Sequence, residues 1–368
     1  MKRHAAILIV LAVLLGLGIF FRNNDGENDR AIVDTDVTRF IGIAMPTQHS
    51  PRWISDGNSL VNQLEGLGFR TILKYGDDIV ADQVAQINEM ITQGVDVLVI
   101  AAIDGSALGG VLARAAASGI TVIAYDRLIM DTPHVNYHTT FDNFAVGIMQ
   151  ANSLLIGLGI KNGEVGPFYI ELFGGSLDDN NAFFFYDGAM SVLQPLIDDE
   201  TLIVRSGQVG MEVVGTFGWS GERARVRMVD LLEEFYTDVR IDAVLSPYDG
   251  ISVEIISALR DVGYGTPDKP WPVVSGQDAT IPSVQSIING EQFSTVFKDT
   301  RELAAATVRV IQTILAGQPV PVNDTVTYNN NVMIVPSYLL DIVHVDINNW
   351  RTVLIETGYY SEDEFTLP

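Results

Sequence analysis

Three short apolar runs in this chain each end in an aspartate: T-V-I-A-Y-D-R-L at 121–128, A-V-L-S-P-Y-D-G at 243–250 and V-V-S-G-Q-D-A at 273–279. Apolar runs of this length, separated by helical patterns, read as buried strands of a parallel sheet. Residues just past the carboxyl end of such strands face the crevice where open α/β sheets bind ligands. The repeated pattern therefore directs Asp126, Asp249 and Asp278 to one cleft. No nucleophile with a base accompanies them, so the pattern points to binding without chemistry.

The rest of the chain supports an α/β fold. Strand patterns at 40–45, 71–75, 95–103 and 121–125 alternate with helical ones at 56–67, 82–93 and 107–118. A second cycle follows, with helices at 147–158, 181–197, 223–236, 252–262 and 283–289 between strands at 167–173, 201–208, 243–246, 273–275 and 294–297. A helix at 302–316 and closing strands from 332 complete it. Alternation of this kind predicts mostly parallel sheets. The 368 residues suffice for two lobes.

Charge and composition exclude several functions. With 46 acids against 22 Lys and Arg, the net charge of −24 argues against a nucleic-acid partner, which needs clustered cations. The absence of cysteine excludes disulfides, thiolate metal sites and a cysteine nucleophile. The five histidines show no paired metal spacing; His134 and His138 straddle Pro133 in an expected loop. At 178–181, D-D-N-N lacks the alternating pattern of a calcium loop. No metal and no cofactor is expected.

The start of the chain is an expected export element. Lys2, Arg3 and His4 precede an unbroken apolar run at 5–21, giving a signal peptide or membrane anchor over 1–22 and a polar linker over 23–38. Residues 5–21 would contact the membrane if left uncleaved, and either reading puts the rest of the chain outside the cytoplasm.

Further stretches give a family resemblance. These are I-G-I-A-M-P-T at 41–47 with Arg52-Trp53, V-L-V-I-A-A-I-D-G at 97–105, A-Y-D-R-L at 124–128, F-D-N at 141–143, E-L-F-G-G-S-L-D-D-N-N-A-F-F-F-Y-D-G at 171–188, S-P-Y-D-G at 246–250, S-G-Q-D-A at 275–279 and F-K-D-T-R-E-L at 297–303. In them the chain resembles the periplasmic monosaccharide-binding proteins of ABC sugar importers, a group with multiple-sugar-, xylose-, ribose- and galactose-binding members. The resemblance implies a type I periplasmic binding protein: two Rossmann-like lobes joined by a three-segment hinge. It divides the chain into a first lobe of 39–140 with 299–325 and a second of 141–298 with 326–368.

The same resemblance implies a sugar-binding set. Arg52, Trp53, Asp126 and Arg127 come from the first lobe, Asn143, Asn181, Phe184, Asp249 and Asp278 from the second, and Lys298 from their junction. The chemistry agrees: carboxylates accept hydroxyl protons, Arg donates a planar fork, and flat rings cover the C–H face of a sugar. Helical geometry cannot let all three of Phe183, Phe184 and Phe185 face the cleft; Phe184 is expected to do so, with the other two packed in the core. Tyr248 is an alternative to Asp249. The expected function is extracytoplasmic capture of an aldopentose or aldohexose, without catalysis, for delivery to an ABC permease and ATPase. A sensor subunit for a membrane kinase or chemoreceptor is the alternative. A sugar-responsive transcription regulator is disfavoured, because an apolar segment stands where its helix-turn-helix belongs.

Overall fold

Strand β1 (Phe40–Met45) shows how the first half is built, because all six of its residues are buried. Side chains alternate between the two faces of a strand. Ile41, Ile43 and Met45 pack on one face with Leu60, Leu64, Leu303 and Ile311. Phe40 and Ala44 pack on the other with Ile87, Met90 and Val111. A sheet covered on both faces needs such continuous apolar runs, and each fully buried Ile or Leu contributes roughly 1.5–3 kcal/mol.

The computed structural model describes residues 38–367. The expected export segment 1–22, and the linker 23–38 except its last residue, lie outside the described residues. From β1 the chain continues through α1 (Pro51–Gly66), β2 (Arg70–Tyr75), α2 (Val80–Thr92), β3 (Val97–Ile100), α3 (Gly109–Ala117), β4 (Thr121–Tyr125) and β5 (Tyr137–Phe141). The second half holds α4 (Asn143–Gly157), β6 (Phe168–Leu172), α5 (Asn180–Asp198), β7 (Leu202–Val204), α6 (Met211–Val214), α7 (Gly221–Phe235), β8 (Ala243–Leu245), α8 (Asp249–Asp261), β9 (Val273–Val274), α9 (Ile281–Ile288) and β10 (Ser294–Phe297). Then come α10 (Thr300–Leu315), β11 (Ser337–Leu340) and β12 (Val343–Asp346).

Two parallel sheets result. The first has the order β11-β5-β4-β3-β1-β2 and the second β7-β6-β8-β9. In register, Ile43 lies opposite Leu73 of β2 and Val99 of β3. The second sheet is likewise covered on both faces, by Met228, Leu231, Ile255 and Leu259 on one and Leu154, Ala189 and Leu193 on the other. Strands β10 and β12 form an antiparallel pair, and Val296 bridges to Gln277 just beyond β9. The chain crosses between the two halves after Phe141, after Phe297 and after Leu340.

The lobe boundary expected near the end differs from this arrangement. The resemblance places residues 326–368 in the second lobe, but Ser337–Leu340 pairs in parallel with β5, Ser337 opposite His138, at the edge of the first sheet. Only the chain from Val343 onward joins the second lobe, through β10. The physical reason lies in β5. Its sequence Y-H-T-T-F is polar in the middle and reads as a loop, yet His138, Thr139 and Thr140 are all buried and paired. With β5 unread, β11 had no evident partner.

Candidate functional site

Arg52 is the centre of the cleft. It sits in the first turn of α1, after Pro51, whose fixed backbone angle suits a helix start. The guanidinium meets three carboxylates: it hydrogen-bonds Asp126, lies 3.3 Å from Asp56 one turn along α1, and 3.6 Å from Asp278. Burial works against its charge, but Asp126, Asp278 and Asp56 together hold the guanidinium well above its ordinary range. Trp53 lies beneath two cations, with the Arg52 and Arg127 guanidinium carbons 4.7 and 5.3 Å from its ring centre.

Asp126 follows the last residue of β4 in the left-handed region, at φ 59°. Its backbone oxygen accepts hydrogen bonds from Thr140 Oγ1 at 2.9 Å and from Asn181 Nδ2 of the second lobe at 3.0 Å. His138 Nε2 lies 3.1 Å from the same oxygen, and burial pulls its pKa down to about 4. Asp126 is buried, which alone would raise its pKa; Arg52, Lys298 and Arg127 outweigh that and hold it at about 2. Arg127 pairs across the cleft with Asp179 at 3.0 Å, and Asp179 in turn caps α5 by accepting from Asn181 N.

The second lobe supplies the opposite wall. Asp278, at φ 92°, lies 3.1 Å from Lys298 Nζ, which reaches in from the second crossing. Gln277, Asn181 and the rings of Phe185, Trp219 and Tyr248 line the same cavity, whose volume is about 250 Å³. Trp219 stands edge-on to both Phe185 and Tyr248. It packs flat on Gly175, where an added Cβ would come within 2.1 Å of the indole. Helix α5 carries Asn181 and Phe185, and two glycines fix its position. A Cβ on Gly147 would meet Phe185 O at 1.9 Å, and one on Gly188 would meet Phe144 O at 2.1 Å, so α4 and α5 approach closer than side chains allow.

Of the residues expected to form the site, Arg52, Trp53, Asp126, Arg127, Asn181, Asp278 and Lys298 line this cavity together. Three do not. Phe184 packs instead on Tyr328 of the first lobe, ring centres 5.0 Å apart, and Phe185 takes the cleft position. Which ring turns inward depends on the helix's rotation, which three consecutive phenylalanines do not reveal. Phe183 is exposed rather than in a core. Asp249 points away from the cavity: its carboxylate accepts from Thr280 N at 2.7 Å and Thr295 Oγ1 at 2.8 Å, while Tyr248 faces the cleft. The absence of a side chain at Gly276 makes room for this carboxylate, since a Cβ there would lie 2.2 Å from Asp249 Oδ1. Asn143 is fully buried behind Asn181, donating to its Oδ1 at 3.0 Å, and so positions that side chain.

Several contributors were not found in the sequence. Asp56 carried no signal beyond its place four residues after Arg52, the helical spacing of a shared face. Asp179 lies in the D-D-N-N stretch, which carries no metal pattern, Trp219 lies outside the strand-end pattern, and His138 falls in the expected loop.

The arrangement suits recognition of a neutral polyhydroxyl molecule. Gln277 Oε1 and Trp219 Nε1, both on residues that line the cavity, are buried without a hydrogen-bond partner among the described residues. Buried polar groups left unpaired cost about 1–3 kcal/mol each, so a ligand that pairs them gains that amount. Glycoside cleavage needs a carboxylic acid with a raised pKa; among the cavity carboxylates burial raises Asp179, which Arg127 engages at 3.0 Å. Asp126 is held at about 2. Asp56, pushed up to about 7 chiefly by burial, has no exposed surface and lies behind Arg52.

Residues 41–319 match the family described as periplasmic binding protein domain. The chain is 57% identical over 324 residues to the multiple sugar-binding periplasmic receptor ChvE of Rhizobium radiobacter, covering 88% of this chain and 91% of that protein. It is 34% identical to the D-xylose-binding periplasmic protein of Escherichia coli K12, over 88% of this chain and 92% of the other. Among solved structures it is similar to an ABC transporter solute-binding protein from Clostridium phytofermentans with bound β-D-glucose. That match has a TM-score of 0.85 at 43% identity, covering 89% of this chain and 99% of that one.

Proposed function

The chain belongs to the periplasmic binding protein family, and from that premise we propose that it captures a monosaccharide, an aldopentose or aldohexose, between its two lobes and delivers it to an ABC importer. The observation that carries the reading is the gathering of charged side chains from both lobes, with Gln277 Oε1 and Trp219 Nε1 left without partners, around one small cavity. A sugar hydroxyl both donates and accepts, so Asp126, Asp278 and Gln277 accept hydrogen bonds from its O–H groups while Arg52, Arg127, Asn181 and Lys298 donate to its oxygens. Phe185 and Trp219 cover the C–H face. Because Arg52 and Asp278 come from different lobes, one ligand satisfies both only when the lobes are together, which couples binding to closure. Delivery to a permease and ATPase outside the cytoplasm is supported by the relatives' descriptions as periplasmic proteins and by the solute-binding protein from Clostridium phytofermentans.

The test is calorimetric titration of the protein with xylose, arabinose, ribose, glucose and galactose. Micromolar or tighter binding, about −8 kcal/mol or better, with the sugar recovered unchanged is the expected result. No binding to any of the five, or conversion of a bound sugar, overturns the reading.

A further inference from the structure

A second cavity, of about 610 Å³, shares Ser50, Pro51, Arg52, Tyr248 and Asp278 with the first. Those side chains form the wall between the two. Both lobes build it: α1 and Arg301 contribute from the first, and α8, α9 and the segment carrying Tyr359 and Tyr360 from the second. The two cavities differ in chemistry. The first is lined by ions and unpaired polar atoms. The second is lined mainly by Val253, Ile281, Pro282, Tyr359 and Tyr360, with Ser55, Glu254 and Thr280 at its polar edge. Its guanidinium is already engaged, since Arg301 grips Asp299 with two hydrogen bonds, at 3.0 and 2.7 Å, and lies over Tyr359 at 4.9 Å. Tyr359 turns its hydroxyl to Thr300, 3.2 Å away, which leaves ring surface for the cavity.

The wall itself is weakest at Arg52 and Asp278. Their 3.6 Å separation exceeds a hydrogen bond, and Arg52 is committed more closely to Asp126. A polar compartment joined through a loose ion pair to an apolar, aromatic one fits a single amphipathic ligand. We propose that the protein binds glycosides carrying an alkyl or aryl aglycone, with the sugar in the first cavity and the aglycone in the second. This rests on the sugar-binding reading above and extends it to a substituent that the first cavity cannot hold.

The experiment compares glucose, the methyl α- and β-glucosides and the phenyl α- and β-glucosides by calorimetric titration of the same protein. For at least one anomer the phenyl glycoside should bind about tenfold tighter than the methyl glycoside, as burial of a phenyl ring predicts. Val253→Trp, which fills the second cavity, should erase that ratio and leave glucose affinity within twofold. Tyr360→Ala, which removes a ring without crowding, should reduce the ratio at least threefold and serves if the tryptophan variant does not fold. Glucose binding with both phenyl glycosides no tighter than their methyl counterparts overturns this proposal alone, as does a ratio unmoved by both variants. If none of the five ligands binds, the sugar-binding reading fails and this one falls with it.

Discussion

Asp249→Asn separates a structural carboxyl from a ligand-binding one. Asp249 is fully buried, and burial is the largest influence on its pKa, raising it from 3.8 to about 7 against the donors Thr280 and Thr295. A carboxyl that binds its proton more tightly in the fold than in the unfolded chain takes one up on folding. Its contribution to stability is complete below pH 3.8, declines above that, and is gone once the pH has risen through 7. The rise of about three pH units corresponds to roughly 4 kcal/mol at 1.36 kcal/mol per unit. Asp56, raised from 3.8 to about 7 mainly by burial, acts in the same direction. The native protein should therefore lose stability from pH 5 to pH 8. His138, held at about 4 against an ordinary 6.5, gains stability from pH 5 to 6.5 and offsets much of the Asp56 share, so Asp249→Asn, neutral throughout, should remove most of the net fall while leaving monosaccharide affinity within twofold. Urea-unfolding midpoints at pH 5, 6, 7 and 8, with a titration at pH 7, measure both. An unchanged slope would mean that the carboxyl is ionised in the fold. A tenfold loss of affinity at unaltered stability would return Asp249 to the ligand.

Three more substitutions probe the site. Arg52→Ala leaves Asp56, Asp126 and Asp278 without their shared cation; a thermal melt should show a loss of about 3–5 kcal/mol, and calorimetry no sugar binding. Phe185→Ala should weaken sugar binding about tenfold through lost stacking, whereas Phe184→Ala should leave affinity within threefold and lower stability by roughly 2 kcal/mol, read by parallel titration and urea unfolding. Gly147→Ala would place a methyl 1.9 Å from Phe185 O; unfolding should show a cost of at least roughly 1–3 kcal/mol, with weaker binding because α5 shifts.

The sequence makes the parallel sheets legible because β1, β3 and β4 are apolar runs that only a doubly covered sheet requires. It hides β5 because His138 and the two threonines spend their side chains on hydrogen bonds to Asp126 and Thr307 rather than on apolar contacts. The charged core of the site is legible for the opposite reason. Asp126, Arg127 and Asp278 follow strands at the carboxyl edge of their sheets, the edge that lines the cleft. Rotation about a helix axis is another matter, since Phe184 and Phe185 differ by one residue and about 100°. Choosing between them needs the glycine contact of α4 and α5, made by residues far apart in sequence. Asp249 followed the same strand-end pattern as the others. Its direction is set by Thr280 and Thr295 beyond it, partners that no local spacing announces.

The late return of β11 to the first sheet has a consequence for synthesis. Ser337 stands 199 residues after His138, its partner across the pairing. Helix α10, whose Leu303 and Ile311 cover one face of the same sheet, also emerges only after the whole second lobe up to β10. At a ribosomal rate of about 5–20 residues per second, the first lobe waits roughly 10 to 40 seconds for its last strand. Throughout that interval β5 is an unpaired sheet edge, and until α10 is made α1 alone covers its part of that face, which leaves a template for mispairing with other chains.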